Sequence, residues 1–142
     1  MATIRNAHAG WIGDLPTGAG QVSLDSSGLG KFDITWKARA EAAEGKTSPE
    51  ELIAAAHSAC FAMAFSNALG EAGAAADYVN TSAAVTFVPG TGITGSHLTL
   101  AAKIPGMSQE DFARIAEDAK AGCPVSAALA GVAITLDATL DA

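Results

Sequence analysis

Stretches of alternating apolar and polar residues flank one long run that scarcely alternates. From Lys31 to Ala40, Phe32, Ile34 and Trp36 fall on one side, with Lys31, Asp33, Thr35 and Lys37 on the other. That period of two predicts a half-buried strand. Gly131 to Leu140 places Val132, Ile134 and Leu136 in the same way and predicts a closing strand. Val79 to Val88 and His97 to Ile104 are strand-like, with a turn between them at Pro89-Gly90-Thr91-Gly92. Ala2 to Trp11 and Gln21 to Leu24 are two earlier strands, separated by Gly13-Asp14-Leu15-Pro16 and Gly18-Ala19-Gly20. With a turn at Asp25-Ser26-Ser27-Gly28, the opening third reads as a small antiparallel meander.

The long run, Ser48 to Gly70, predicts one helix with both ends marked. Ser48 suits the N-cap, and Pro49 suits the first helical position, where no N–H is needed. Glu51 completes an S-x-x-E capping box, and Glu50 and Glu51 set negative charge against the positive end of the helix dipole. Gly70 is the expected stop. Between the ends the residues are almost all apolar or small, which predicts a helix buried on most sides. Its polar residues are His57, Ser58, Ser66 and Asn67, and Cys60 sits among them.

Glu41 to Thr47 is a polar loop leading into that helix. A second capping signal, Ser108 with Asp111, opens a helix with Phe112, Ile115 and Ala119 on one face, and Gly122 stops it. Pro124 then suits the first position of a short helical segment starting at Cys123. The order βββ–α–ββ–αα–β is α+β, with helices packed on sheet and residues 1–142 forming a single domain.

Composition sharpens this picture. Much of the apolar content is alanine, which buries little area per residue, so subunit contacts are expected to add burial. The net charge of −7 speaks against a nucleic-acid partner, which needs a basic face. The N-terminal MATIRNAHAG lacks the apolar stretch of a secretory signal, and the longest apolar runs look too short and interrupted to span a bilayer. A cytoplasmic protein with no membrane partner is expected. In a reducing compartment, two cysteines leave redox chemistry, metal binding or plain burial open.

Cys60 fits either a packing role or a chemical one, since free cysteine is among the most buried residue types. Cys123 lies at a helix start, where N–H groups favour a thiolate. Cys60 is mid-helix and would need another source of positive charge, which Arg39 could supply. Strand parity turns Arg39 away from the core unless a bulge or a partner subunit covers that face. A covered arginine needs a carboxylate, and Glu50 is the nearest in sequence. Glu50 also fits simple dipole complementation. His57 precedes Cys60 by three residues, but neighbours on one helix face seldom form a directed base–thiol pair. A zinc site lacks any C-x-x-C spacing.

Pro49 to Phe61 (PEELIAAAHSACF) and Ala119 to Ser126 (AKAGCPVS) closely resemble the two cysteine motifs of the OsmC/Ohr family of thiol peroxidases, both nearer the OsmC branch. Trp11 to Asp14, the A-R-A-E segment, Leu69 to Gly73 and Ile134 to Asp137 extend the resemblance over the chain. The resemblance implies an OsmC-like fold of antiparallel sheets around a long buried central helix, in an intertwined homodimer with active sites at the subunit interface. It implies Cys60 as the peroxidatic cysteine, Cys123 as the resolving one, Arg39 as the activating arginine and Glu50 as its orienting carboxylate. Organic hydroperoxides would be reduced to alcohols through a Cys60 sulfenic acid and a Cys60–Cys123 disulfide. No bound cofactor is implied, only an external dithiol reductant such as a lipoylated protein. Phe61, Met63 and Phe65 are either pocket or ordinary core. The alternatives are a non-catalytic binding or stress protein with inert cysteines, and a Cys60–His57 acyl-transfer enzyme.

Overall fold

The computed structural model describes residues 1–142 and is α+β, with four helices, one of them long, and two three-stranded sheets. By contact the chain forms two compact units, Met1–Leu52 and Ile53–Ala142.

In the first unit, β1 (Ala7–Ile12), β2 (Ala19–Leu24) and β3 (Lys31–Ile34) pair antiparallel in that order. The expected strand from Lys31 to Ala40 stops at Ile34. Thr35 is extended (φ −143°, ψ 159°) and its hydroxyl accepts the Ala38 N–H, capping a short helix α1 (Trp36–Ala40). A side-chain cap outcompetes the ladder here because threonine satisfies a helix donor that a strand would leave to water. Arg39 therefore lies on a helix, and the parity argument that turned it away from the core does not apply. Phe32, expected on a buried face, is exposed.

The central helix α2 runs Pro49–Glu71. The Ser48 hydroxyl accepts the Glu51 N–H at 3.1 Å, while the Glu51 carboxylate takes the Thr47 hydroxyl at 2.6 Å. The helix continues through Gly70. Its stop is Gly73, at φ +75°, with Gly73 N–H bonded to the Gly70 carbonyl and Ala74 N–H to the Leu69 carbonyl. These two bonds make a Schellman motif, which requires the left-handed residue that glycine supplies. Within this chain α2 is buried on one face only, through His57, Phe61, Phe65 and Leu69 at four-residue spacing. Met63 on another face is 73% exposed. By length and composition α2, with a mean hydropathy of 1.5, would reach across a bilayer, longer than the sequence reading allowed. Its phenylalanine face instead packs into a protein core.

In the second unit, β4 (Tyr78–Val88) pairs antiparallel with β5 (Gly92–Lys103), and β6 (Ala133–Asp141) joins β5 in parallel. The sheet is thus mixed rather than antiparallel. The crossover through α3 (Gln109–Gly122) and α4 (Pro124–Ala128) carries the chain back to start β6 beside β5 in the same direction. Central strand β5 turns Ser96, Leu98, Leu100 and Ala102 inward. They meet Phe61, Phe65 and Leu69 of α2 and Phe112, Ile115, Ala116 and Ala119 of α3. Phe65 packs edge-on to Phe112, with ring centroids 5.8 Å apart. Phe61 and Phe65 are therefore core residues, not the walls of a substrate pocket.

Candidate active site

Cys60 and Cys123 come together in the second unit through two local devices. Cys60 rides on α2, one turn beyond the buried His57. Cys123 sits at the break between α3 and α4, extended at φ −66°, ψ 123°. Pro124 causes the break, since its ring disfavours helical geometry in the residue before it while fitting the first position of the next helix. The break leaves Cys123 fully buried beside the half-buried Cys60, both as free thiols.

The two thiols are neighbours, and their surroundings shift their titration in opposite directions. Burial pushes the Cys60 thiol up, and the Cys123 sulfur beside it adds to that rise. Burial also pushes Cys123 up, but the Cys60 thiol, the Ser126 N–H and hydroxyl and the Val125 N–H outweigh it, leaving Cys123 below its ordinary value. None of these makes a full helix-capping bond to Cys123, so the backbone and hydroxyl donors act on the sulfur as looser polar contacts.

His57 does not aim at Cys60. Its Nδ1 lies 2.7 Å from Ser96 Oγ on β5, and its Nε2 lies 2.8 Å from Ser126 Oγ on α4. The ring has no exposed surface, and burial holds it below the usual histidine range. With both nitrogens taken by hydroxyls, it is not free to act as a base for a Cys60 acyl-transfer reaction. Ser96 and Ser126 escaped the sequence reading. Ser126 lay within the second cysteine motif, three residues after Cys123, which is the one signal available for it.

In the first unit, Arg39 and Glu50 form a paired group. Arg39 Nε donates to Glu50 Oε1 at 3.0 Å and Oε2 at 3.2 Å, and Nη2 donates to Oε1 at 2.8 Å. The Glu50 side chain is buried and the Arg39 side chain is 32% exposed. A fork held this way has the orientation of its plane set by the carboxylate. The guanidinium forms the one charged wall of a cavity of about 480 Å³, otherwise bounded chiefly by Trp11, Leu15, Ile34, Trp36 and Pro49. Such a cavity suits an apolar group attached to a polar head.

A family model described as OsmC-like protein matches residues 41–137. The chain is 41% identical over 140 residues to Peroxiredoxin OsmC of Escherichia coli (strain K12), covering 96% of each. Among solved structures it is similar to an organic hydroperoxide resistance protein from Elizabethkingia anophelis, at 26% identity and a TM-score of 0.69 over 99% of this chain and 100% of that one. An OsmC-like protein from Mycoplasma pneumoniae, 16% identical with a TM-score of 0.71 over the whole of both chains, shares the fold.

Proposed function

The chain belongs to the OsmC family, whose named relatives are peroxidase-type stress proteins, and we propose that it is a thiol-dependent peroxidase that reduces organic hydroperoxides to alcohols. The observation that carries this reading is that the chain's only two cysteines, both free thiols, pack against one and the same core. Two inert packing cysteines have no reason to meet, because each gains its burial wherever the core has room.

In this cycle Cys60 is the nucleophile. Cys60 loses its proton to solvent, and the family resemblance assigns Arg39, oriented by Glu50, to stabilise the resulting anion and hydrogen-bond the peroxide oxygens. The Cys60 thiolate attacks the distal oxygen of ROOH, the O–O bond breaks, and the alkoxide takes the proton from Cys123 to leave as ROH. Cys60 becomes a sulfenic acid and Cys123, having given up its proton, is left as a thiolate. Cys123 then attacks the Cys60 sulfur, forming the disulfide and expelling hydroxide, which takes up a proton to become water. An external dithiol restores the two thiols by exchange. The apolar cavity beside Arg39 suits the organic part of the substrate.

The apolar, exposed face of α2, with Ala55, Ala56, Ala59 and Met63, supports a homodimer in which a second copy covers it and the active sites lie at the subunit interface. The test is intact mass after one equivalent of cumene hydroperoxide on the reduced protein. The expected result is loss of two mass units, absent in Cys60→Ser, with a trapped sulfenic or over-oxidised species in Cys123→Ser. No rapid mass change in the wild-type protein would refute the proposal.

A further inference from the structure

The two-cysteine cycle uses the thiols, Arg39 and Glu50, and leaves the buried polar group next to the thiols without a task. That group is Ser96–His57–Ser126, whose three side chains come from β5, α2 and α4 and are all buried. Burying an imidazole and two hydroxyls in an otherwise apolar core is costly unless every group is satisfied. Here each ring nitrogen has its own hydroxyl, so the neutral ring donates to one serine and accepts from the other. A Leu or Phe in place of His57 would fill the same face of α2 with no polar group to satisfy. The chosen residue is the one that ties three elements together.

The tie bears on Cys123 through a short segment. α4 has only five residues, and Cys123 is the residue just before it. Ser126 lies in its first turn, and the Ala127 N–H to Cys123 carbonyl bond of 3.0 Å closes that turn. Holding Ser126 therefore holds the Cys123 backbone. The other end of the tie starts on α2, one turn before Cys60, and is braced from behind by Ser96 on the central strand.

Resting on the two-cysteine cycle proposed above, we infer that His57 is a positioning residue for disulfide closure: its ring, braced by Ser96, grips Ser126 and holds the α3–α4 break so that the Cys123 sulfur stays within reach of Cys60. In closure, the Cys123 thiolate sulfur bonds to the Cys60 sulfur while the Cys60 S–O bond breaks with its electron pair, and the departing hydroxide is protonated to water. His57 touches neither sulfur in this step. It limits how far α4 can swing while Cys60 carries the sulfenic oxygen, and so raises the effective concentration of one sulfur at the other. The Ser126 hydroxyl and N–H, held by the same grip, also face the Cys123 sulfur and favour its anion.

Two histidine replacements separate positioning from packing. Asparagine reproduces the Nδ1 end of histidine and reaches Ser96 but not Ser126; glutamine extends to the Nε2 end and reaches Ser126. With Ser126→Ala as a third variant, quenched-flow mass spectrometry after one equivalent of cumene hydroperoxide reads sulfenic-acid formation and disulfide closure as separate rates. His57→Asn and Ser126→Ala are expected to slow closure at least tenfold, His57→Asn with sulfenic-acid formation within twofold of wild type, and His57→Gln is expected to keep most of the closure rate. The same order is expected for the effective concentration of the Cys60–Cys123 pair, read without any peroxide by equilibration against glutathione. Should the wild-type protein form no sulfenic acid, the peroxidase reading fails and the glutathione equilibrium alone decides the role of His57. Closure and effective concentration within twofold of wild type in both His57→Asn and Ser126→Ala would overturn the inference, as would equal losses in the asparagine and glutamine variants.

Discussion

Replacing Glu50 by glutamine tests whether the Arg39–Glu50 pair is built or incidental. The carboxylate is almost fully buried and receives three hydrogen bonds from one guanidinium, between 2.8 and 3.2 Å. Glutamine keeps the shape but offers one oxygen and turns an N–H group toward Arg39. Hydrogen bonds to charged groups contribute about 1.5–3 kcal/mol, against about 1 for neutral ones. Because the Arg39 side chain is 32% exposed, water retains part of its hydration, and a figure near the lower end applies, about 2 kcal/mol. With a urea slope of about 2 kcal/mol per molar, the unfolding midpoint should fall by about 1 M. A double-mutant cycle with Arg39→Met, at one fixed protein concentration, isolates the pair: the double variant should be more stable than the two single losses predict, by about 1.5 kcal/mol. Both single variants should also slow oxidation of Cys60 by hydroperoxide. A coupling below about 0.5 kcal/mol, the value for independent sites, would show a surface-type ion pair and refute the reasoning.

Two further outcomes follow from the helix stop and the buried ring. Gly70→Ala lies inside α2 with open space at its Cβ position, so it should raise stability by about 0.5–1 kcal/mol. Gly73→Ala, at φ +75°, should lower stability by about 1–2 kcal/mol; equal effects in thermal unfolding would remove the assignment of Gly73 as the stop. Burial lowers the His57 pKa from 6.5, so the folded protein keeps the ring neutral where the unfolded chain binds a proton. Its contribution is complete above pH 6.5 and is lost as pH falls through the folded value. Stability should therefore decline on acidification in that window, by at most about 1.4 kcal/mol per pH unit from this group, and decline less in His57→Gln. Parallel pH profiles for the two proteins would contradict a neutral buried ring.

Several elements were legible because their causes are local. Ser48 and Ser108 cap the helices they precede, Pro124 opens the short helix after Cys123, and the alternation from Val79 onward becomes β4. The misreadings have local causes too. Thr35 sits in an alternating stretch and could have continued the strand, but its hydroxyl captured the Ala38 N–H and started α1. Gly70 and Gly73 are equally plausible stops by residue type, and only the backbone angle at Gly73 distinguishes them.

The site divides along the same line. By itself the sequence offered the candidate residues, two thiols with a proline-broken helix at one of them, and an arginine eleven residues before a carboxylate, because residue type and short spacing carry that information. Tertiary structure alone decided which of them meet. Glu50 turned out to hold Arg39 through a helix that the alternation hid, and β6 entered the second sheet in parallel because of a crossover whose end point no local pattern specifies. His57 is bound to Ser96, 39 residues away, and to Ser126, 69 residues away. Hydrogen bonds of such reach depend on how strands and helices pack, and that packing is a property of the whole core rather than of any window along the chain.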